Sequence, residues 1–482
     1  MKHLQIFFAL LLAAVVASAG LTSCIEDGVS TSPADQPEFS TDTLRMGQLF
    51  TQAPSPTHRF VVYNRHDKIM NISDIEFSEN PSDAFRINVD GMSGKRFSNV
   101  EVRPNDSIFV FVEVTLPENG SALPVEVLTH LNFRVNGVTS SLPVKARGQD
   151  VVRLSGDTRF AVNTTLDATI PYLVRDSIVV EEGATLTIPA GTKLLMHNAS
   201  EIIVRGTLNI AGTQEKPVEI TGHRTGYVAA QIPYEVMSGQ WGGIYFASTS
   251  RNNTISYASI RNPEWGLILD RIGGTQDAPA LKIYNSVVRN SKGYLVEARH
   301  SALVAIGCEF SEAASGQLLL EGSEHLINQC TLANYYLFSA IGGPAIQLLH
   351  VDPKDTEANN PDDAELPWLK ADITNTIIYG HNADISHGDL TGLDVTLRYC
   401  LLKAQGTDDD NFIHCVWAQD PLFNVDRNNY IFDYTVGAES PALNAGSAEL
   451  LLPGAETDRL GAQRLPTPTI GAYQLPRPAE SE

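Results

Sequence analysis

The amino-acid sequence predicts an all-β chain: a β-sandwich followed by a parallel β-helix. Two observations predict it. Between Phe39 and Asp150, runs such as RFVVYN, AFRINVDG and DSIFVFVEVTL alternate apolar with polar residues between Gly, Pro, Asn and Asp turns. That is the pattern of antiparallel strands with one buried face. Past residue 170 the texture changes. TISYASIRN, KIYNSVVRN, VAIGCEFSE, LINQCTLAN, ITNTIIYGH and TLRYCLLKA place Ala258, Ser286, Cys308, Cys330, Thr376 and Cys400 at intervals of 28, 22, 22, 46 and 24 residues. Each is followed two places later by an apolar residue: Ile260, Val288, Phe310, Leu332, Ile378 and Leu402. A period of 20 to 25 residues made of short β runs indicates a solenoid, with equivalent residues stacked about 4.8 Å apart.

The elements follow in chain order. Residues 1–23 open with Lys2, continue with the apolar run LQIFFALLLAAVVASAGL, and read as a signal peptide. Leu21-Thr22-Ser23-Cys24 resembles the lipobox of bacterial lipoproteins, which implies that Cys24 is acylated and becomes the mature N-terminus. Residues 24–38 are polar and proline-bearing, a flexible tether. Residues 39–150 hold the strands of the sandwich, with HLNFRVNGVTSSLPVKA expected as a hairpin turning at Asn136-Gly137. This unit resembles the immunoglobulin-like domains that precede larger modules in bacterial surface proteins, though without their Cys–Trp–Cys pattern, and its expected role is a spacer.

Residues 165–475 form the β-helix of about ten coils. Gly183 and Gly206 fall at matching places in the first coils, and the 46-residue interval reads as two coils holding a hydrophilic insert at 350–372. The small-residue column explains Cys308 and Cys330 as packed free thiols, since an interior position accepts only a short, weakly polar side chain; neighbouring rungs also put their Cα atoms within disulfide range, which is the second reading. Asn262, Asn290 and Asn334 recur two places beyond the apolar column, where stacked asparagines bond turn backbones.

DATIPYLVRDSIVVEEGATLTIPAGTKLLM and its continuation to QWGGIYF resemble the opening coils of right-handed parallel β-helix proteins of the pectate-lyase-like class. The tail is similar to the choice-of-anchor-Q segment that closes many surface-anchored β-helix proteins. Asp420, Pro421, Phe423, Ser440, Pro441, Ala442, Asn444, Gly446, Asp458, Gly461, Arg464, Ile470, Gly471, Ala472 and Tyr473 carry that likeness, within a cap segment 420–475. The resemblance implies a fold and an exported location, an outer-membrane lipoprotein exposed at the cell surface of a Gram-negative bacterium. It implies no single activity; some relatives are polysaccharide lyases or hydrolases.

Candidate chemistry is sparse. Asp270 and Glu297 end GLILD and GYLVE, with Glu321 one coil further and Arg271, Arg299, His300 and His325 nearby; stacked carboxylates there are the catalytic candidates. Arg261, Arg289 and Lys403 form a basic column, interrupted by Ser311, Ala333 and Tyr379. Arg261 and Arg289, with Trp368 of the acidic insert, are the substrate-binding candidates. The acids of that insert offer oxygens to Ca²⁺, yet no EF-hand spacing is present, so a solvated loop and no cofactor are expected. CxxC, HExxH and GxSxG are absent from the sequence. The net charge of −22 repels phosphate backbones and disfavours nucleic acid as a partner. The expectation is a monomer held to a membrane by its lipid, a non-catalytic glycan-binding or adhesion module on an elongated helix. The alternative is a polysaccharide lyase or glycoside hydrolase acting on an extracellular glycan.

Overall fold

The computed structural model describes residues 28–156, 158–229, 231–350 and 369–475, so Cys24 and Trp368 lie outside the described residues. The chain divides into two compact units, 1–150 and 151–482.

In the first unit one sheet runs in the order 38–39, 58–63, 107–114, 85–89, 92–94, antiparallel throughout. A second runs 44–50, 138–149, 125–135, 70–77, 96–97. Alternation decides what meets between them. Along Ser107–Val114 the residues Ile108, Val110, Val112 and Val114 are buried, and they share one core with Phe60, Leu131, Phe133 and Val144. The expected hairpin is present: Asn136 and Gly137 are both left-handed (φ 50° and 81°), as a two-residue turn requires, and Val135 pairs with Val138. One strand departs from the antiparallel expectation. Leu44–Phe50 joins Val138–Gln149 in parallel. The chain reaches it by crossing from the other sheet, so no hairpin dictates its direction.

The second unit is a parallel β-helix. Three parallel sheets of eleven, nine and ten strands are laid down in rotation, one strand per sheet per coil until the second sheet ends at Ile385–Ser386. One coil is Val287–Ser291, Val296–Ser301 and Leu303–Ile306, and the next is Glu309–Ala313, Leu318–Glu321 and Glu324–Asn328. Stacking begins at Val152–Leu154, which pairs with Tyr172–Val174. The predicted apolar column is in register: Ile260, Val288, Phe310, Leu332, Ile378 and Leu402 are successive partners in the first sheet. None is more than 1% exposed. Trp241 is likewise fully buried and donates from Nε1 to Arg261 O at 2.7 Å.

Two sequence expectations are corrected by the register. The 46-residue interval is a single coil, because Thr331 pairs directly with Ile377; hydrogen-bonded stacking does not fix the number of residues between strands. Gly183 and Gly206 are also not equivalent. Thr185 pairs with Thr207, which sets Ala184 opposite Gly206. Gly183 supplies a left-handed turn (φ 79°), whereas a Cβ at Gly206 would lie 2.2 Å from Ala184 O.

The small column has a specific cause. Before each member the chain turns through a left-handed residue: Asn285, Gly307, Gln329 and Asn375 (φ 42°, 66°, 52° and 48°). The next side chain is then buried in the corner and donates to the carbonyl two residues back. Ser286 Oγ reaches Tyr284 O at 2.7 Å, Cys308 Sγ reaches Ile306 O at 3.3 Å, Cys330 Sγ reaches Asn328 O at 3.3 Å and Thr376 Oγ1 reaches Thr374 O at 2.8 Å. A short donor fits; a branched apolar chain does not. Cys308→Ser should therefore leave the urea midpoint of the β-helix nearly unchanged, while Cys308→Leu should cost about 1–3 kcal/mol by overpacking. Equal losses for both variants would overturn this account.

Candidate functional site

The second sheet presents an outward strip of polar and aromatic side chains over consecutive coils. Register places Tyr245, Ile268, Glu297, Leu319 and Gln347 in one outward column, and Asp270, Arg299, Glu321 and Leu349 in the next. Asp270 and Glu297 are therefore not stacked on each other. The two strands start in register, Leu267 opposite Val296, but Gly266 precedes its strand by one residue and Gly293 by three, so Asp270 stands over Arg299. Arg299, 44% exposed at the side chain, gathers the acids: Nη2 lies 3.0 Å from Glu297 Oε2 and Nη1 lies 3.1 Å from Glu321 Oε2. His300 Nε2 lies 3.4 Å from the other Glu321 oxygen. Tyr245 donates its hydroxyl to Asp270 at 2.8 Å.

Electrostatics follow from these contacts. The bond from His300, then Arg299, holds the Glu321 carboxyl below the usual range against the effect of burial. Burial, with Glu297 beside it, pushes the Tyr294 hydroxyl up. That places Tyr294 next to the strip, and Trp265 stands on the preceding rung at the equivalent position, two residues ahead of its strand. Both rings are half-buried. The strip thus joins two aromatic surfaces to a salt-bridged row of hydroxyl, carboxylate and guanidinium groups, an arrangement suited to stacking on and hydrogen bonding to a polyhydroxylated ligand. Sequence reasoning passed over Trp265, Tyr294 and Tyr245, although EWGLILD and KGYLVE show two of them in repeated settings. His325 does not join them. It points inward between Leu303 and Ala371, bonds Gly322 O at 2.7 Å, and burial lowers it to about 4.

The basic column is in the predicted register, Arg261, Arg289, Ser311, Ala333 and Tyr379 being successive partners, but it is enclosed. Arg261 Nε bonds Ser259 at 2.8 Å, and burial with Arg289 alongside lowers its basicity. Arg289 is ion-paired with Glu309 and donates to Phe432 O at 3.3 Å. Burial alone would lower Arg289, and the Glu309 carboxylate overrides it to raise the guanidinium. What covers this face is the tail. Tyr473 donates to Glu309, Tyr434 donates to Glu312, and Ala472 N reaches Thr331 Oγ1 at 2.9 Å. Ile470, Ala442 and Val436 pack on Ile377 and Leu401, while Ala455 packs on Val304 and Ile306 of the third sheet. Gly471 (φ 104°) approaches so closely that a Cβ would lie 2.8 Å from Thr331 Oγ1. Asp458, fully buried, accepts from the backbone of Leu460, Ala462 and Gln474 and shapes the turn that presents Tyr473.

Glu312 is the residue the sequence hid. It occupies the asparagine column between Asn290 and Asn334, is 2% exposed, and accepts from Tyr335 N at 2.8 Å. Asn262 and Asn290 both donate to Glu235 O, as the column predicts. The first unit has its own cleft of about 800 Å³ over Ile87, Phe111 and Glu113, whose Arg86 and Lys95 are engaged by Thr115 and Asp83.

Residues 158–277 match a pectate-lyase-like β-helix domain. No curated protein matches the chain. Among solved structures, one concerned with glycolipid glycan hydrolysis by a family 123 glycoside hydrolase from Clostridium perfringens is 10% identical, over 26% of this chain and 26% of that one, with a TM-score of 0.18. The chain thus spans about a quarter of that structure, a likeness too slight to carry an argument.

Burial raises Glu312 from 4.5 to about 7, opposed by the bonds from Tyr434 and Tyr335 and by Arg289, and aided by Glu309. An acid raised on folding stabilises fully below the unfolded value and loses that contribution as pH climbs to the folded one. Between pH 4.5 and 7 the native β-helix should lose about 3 kcal/mol from this group. Glu312→Gln should flatten that part of the pH dependence, read from urea midpoints at pH 5 and pH 8; an unchanged slope would refute the assignment.

Proposed function

We propose that this chain is a lipid-anchored cell-envelope protein whose β-helix binds an extracellular glycan without transforming it. The observation that carries the reading is the strip on the second sheet, where Glu297 and Glu321 are both tied to Arg299. A general base must be free to take a proton. Carboxylates held in a shared ion pair are set instead to accept and orient hydroxyl groups, beside the rings of Trp265 and Tyr294. The lipid anchor rests on Leu21-Thr22-Ser23-Cys24, and placement at the outer face of the envelope follows from it together with the β-helix domain. The same domain match gives the second reading, a polysaccharide lyase or glycoside hydrolase, its specific support.

Screening the purified protein against a panel of polysaccharides, for retention and for release of unsaturated or reducing products, separates the two. Retention without product is expected. Trp265→Ala and Tyr294→Ala should each weaken retention about tenfold, or ~1.4 kcal/mol. Product that appears with the unchanged chain and disappears in Glu297→Gln would establish the enzyme instead. For the anchor, Cys24→Ala should shift the protein from the membrane to the soluble fraction of expressing cells.

A further inference from the structure

The small column does not end at Cys400. Leu401 pairs with Val416, and Val416 N donates to Cys400 O at 2.8 Å, so Cys415 is the next member, directly over Cys400 on the terminal rung. The two thiols point the same way. Cys400 Sγ bonds Ile373 O at 3.4 Å and Cys415 Sγ bonds Leu397 O at 3.5 Å, each a carbonyl of the coil beneath. In-register parallel neighbours hold their Cα atoms about 4.8 Å apart, inside the 4.4–6.8 Å range of disulfides. Their exposure differs: Cys400 is fully buried, whereas Cys415 is half-buried and reachable. The bond from Cys400 also holds Cys415 below the usual thiol range. Cys308 and Cys330 share the register but are both fully buried. They form a built-in control.

We propose that Cys400 and Cys415 are an oxidisable dithiol that closes into a disulfide across the last two rungs. The oxidant is a disulfide, either a protein or a small molecule. The Cys415 thiolate attacks one of its sulfurs, forming a mixed disulfide and expelling one thiolate. Cys400 then loses its proton and attacks the Cys415 sulfur, forming the internal bond and expelling the second thiolate. The pair gives up two electrons, and its two protons end on the two reduced thiols. The consequence is mechanical. The terminal rung rests on four backbone pairs, Leu397–Phe412, Arg398–Ile413, Leu401–Val416 and Leu402–Trp417, and the bond would pin it covalently.

The test treats the folded protein with oxidised glutathione and follows intact mass and peptide maps. The expected product is lighter by two hydrogens, with 400 joined to 415 and Cys308 and Cys330 still free to alkylate after denaturation. Cys400→Ser should instead retain glutathione on Cys415, and Cys415→Ser should stay unmodified at Cys400. Glutathione that persists on Cys415 in the unchanged chain, or a bond that joins Cys308 to Cys330 first, would overturn the proposal.

Discussion

Parallel, in-register hydrogen bonding between successive coils is the constraint from which the rest of the β-helix follows. Once Val288 is paired with Phe310 and Phe310 with Leu332, every side chain has a neighbour of the same orientation about 4.8 Å above and below. An inward position is then apolar on most rungs, because an unpartnered polar group there costs several kcal/mol; His325 is an inward exception that bonds Gly322 O. Corners are governed by the same rule. A left-handed residue followed by a short side chain recurs because the corner has little room, and where that side chain is a donor it adds a bond to a carbonyl that already accepts from the neighbouring coil, as Ile306 O does from Asn285 N. Length between strands is left unconstrained, which is why a 46-residue coil stacks as well as one of 22.

The outward faces are where that repetition becomes selective. On the second sheet they meet solvent, and the columns carry Asp270, Arg299 and Glu321 in alternating charge. Alternation lets each rung neutralise its neighbours without burial. On the later coils of the first sheet the outward positions are covered by the tail, and the chemistry changes accordingly. Arg289 and Glu309 exchange solvent for each other, with Ser311 at 2.6 Å and Tyr473 completing the carboxylate's partners. A buried pair of this kind is a weak source of net stability, but separating it leaves an uncompensated charge. Its effect is therefore to make one position of the tail far better than any other.

Legibility in the sequence tracks this division. The interior columns were readable because hydrophobicity and size repeat there at fixed spacing, and Cys308 and Cys330 sit where that spacing puts them. Glycines were read less well: Gly183 and Gly206 look equivalent, yet one provides a turn and the other a close approach. Asp270 was misaligned with Glu297 because the spacing from the corner glycine to the strand start varies, one residue after Gly266 and three after Gly293, and nothing in a single sequence marks a shift of two residues. Glu312 escaped because an acid in a column of asparagines resembles a solvated exception until Tyr434 is seen above it. Leu303-Val304-Ala305-Ile306 is apolar on both faces for the same hidden reason, since Ala455 covers its outer side.

By itself the sequence determined the β class, the sandwich hairpin at Asn136-Gly137, the period of the coil and the residues that fill its interior, because these depend on local alternation and on recurrence along one chain. Only the tertiary structure decided which outward residues are available. Arg289 and Arg299 are both arginines on outward columns, and one is largely buried against Glu309, its side chain 18% exposed, while that of the other is 44% exposed. The difference is made by a segment more than a hundred residues away that lies over one sheet and not the other, and no spacing rule encodes where a distant strap comes to rest.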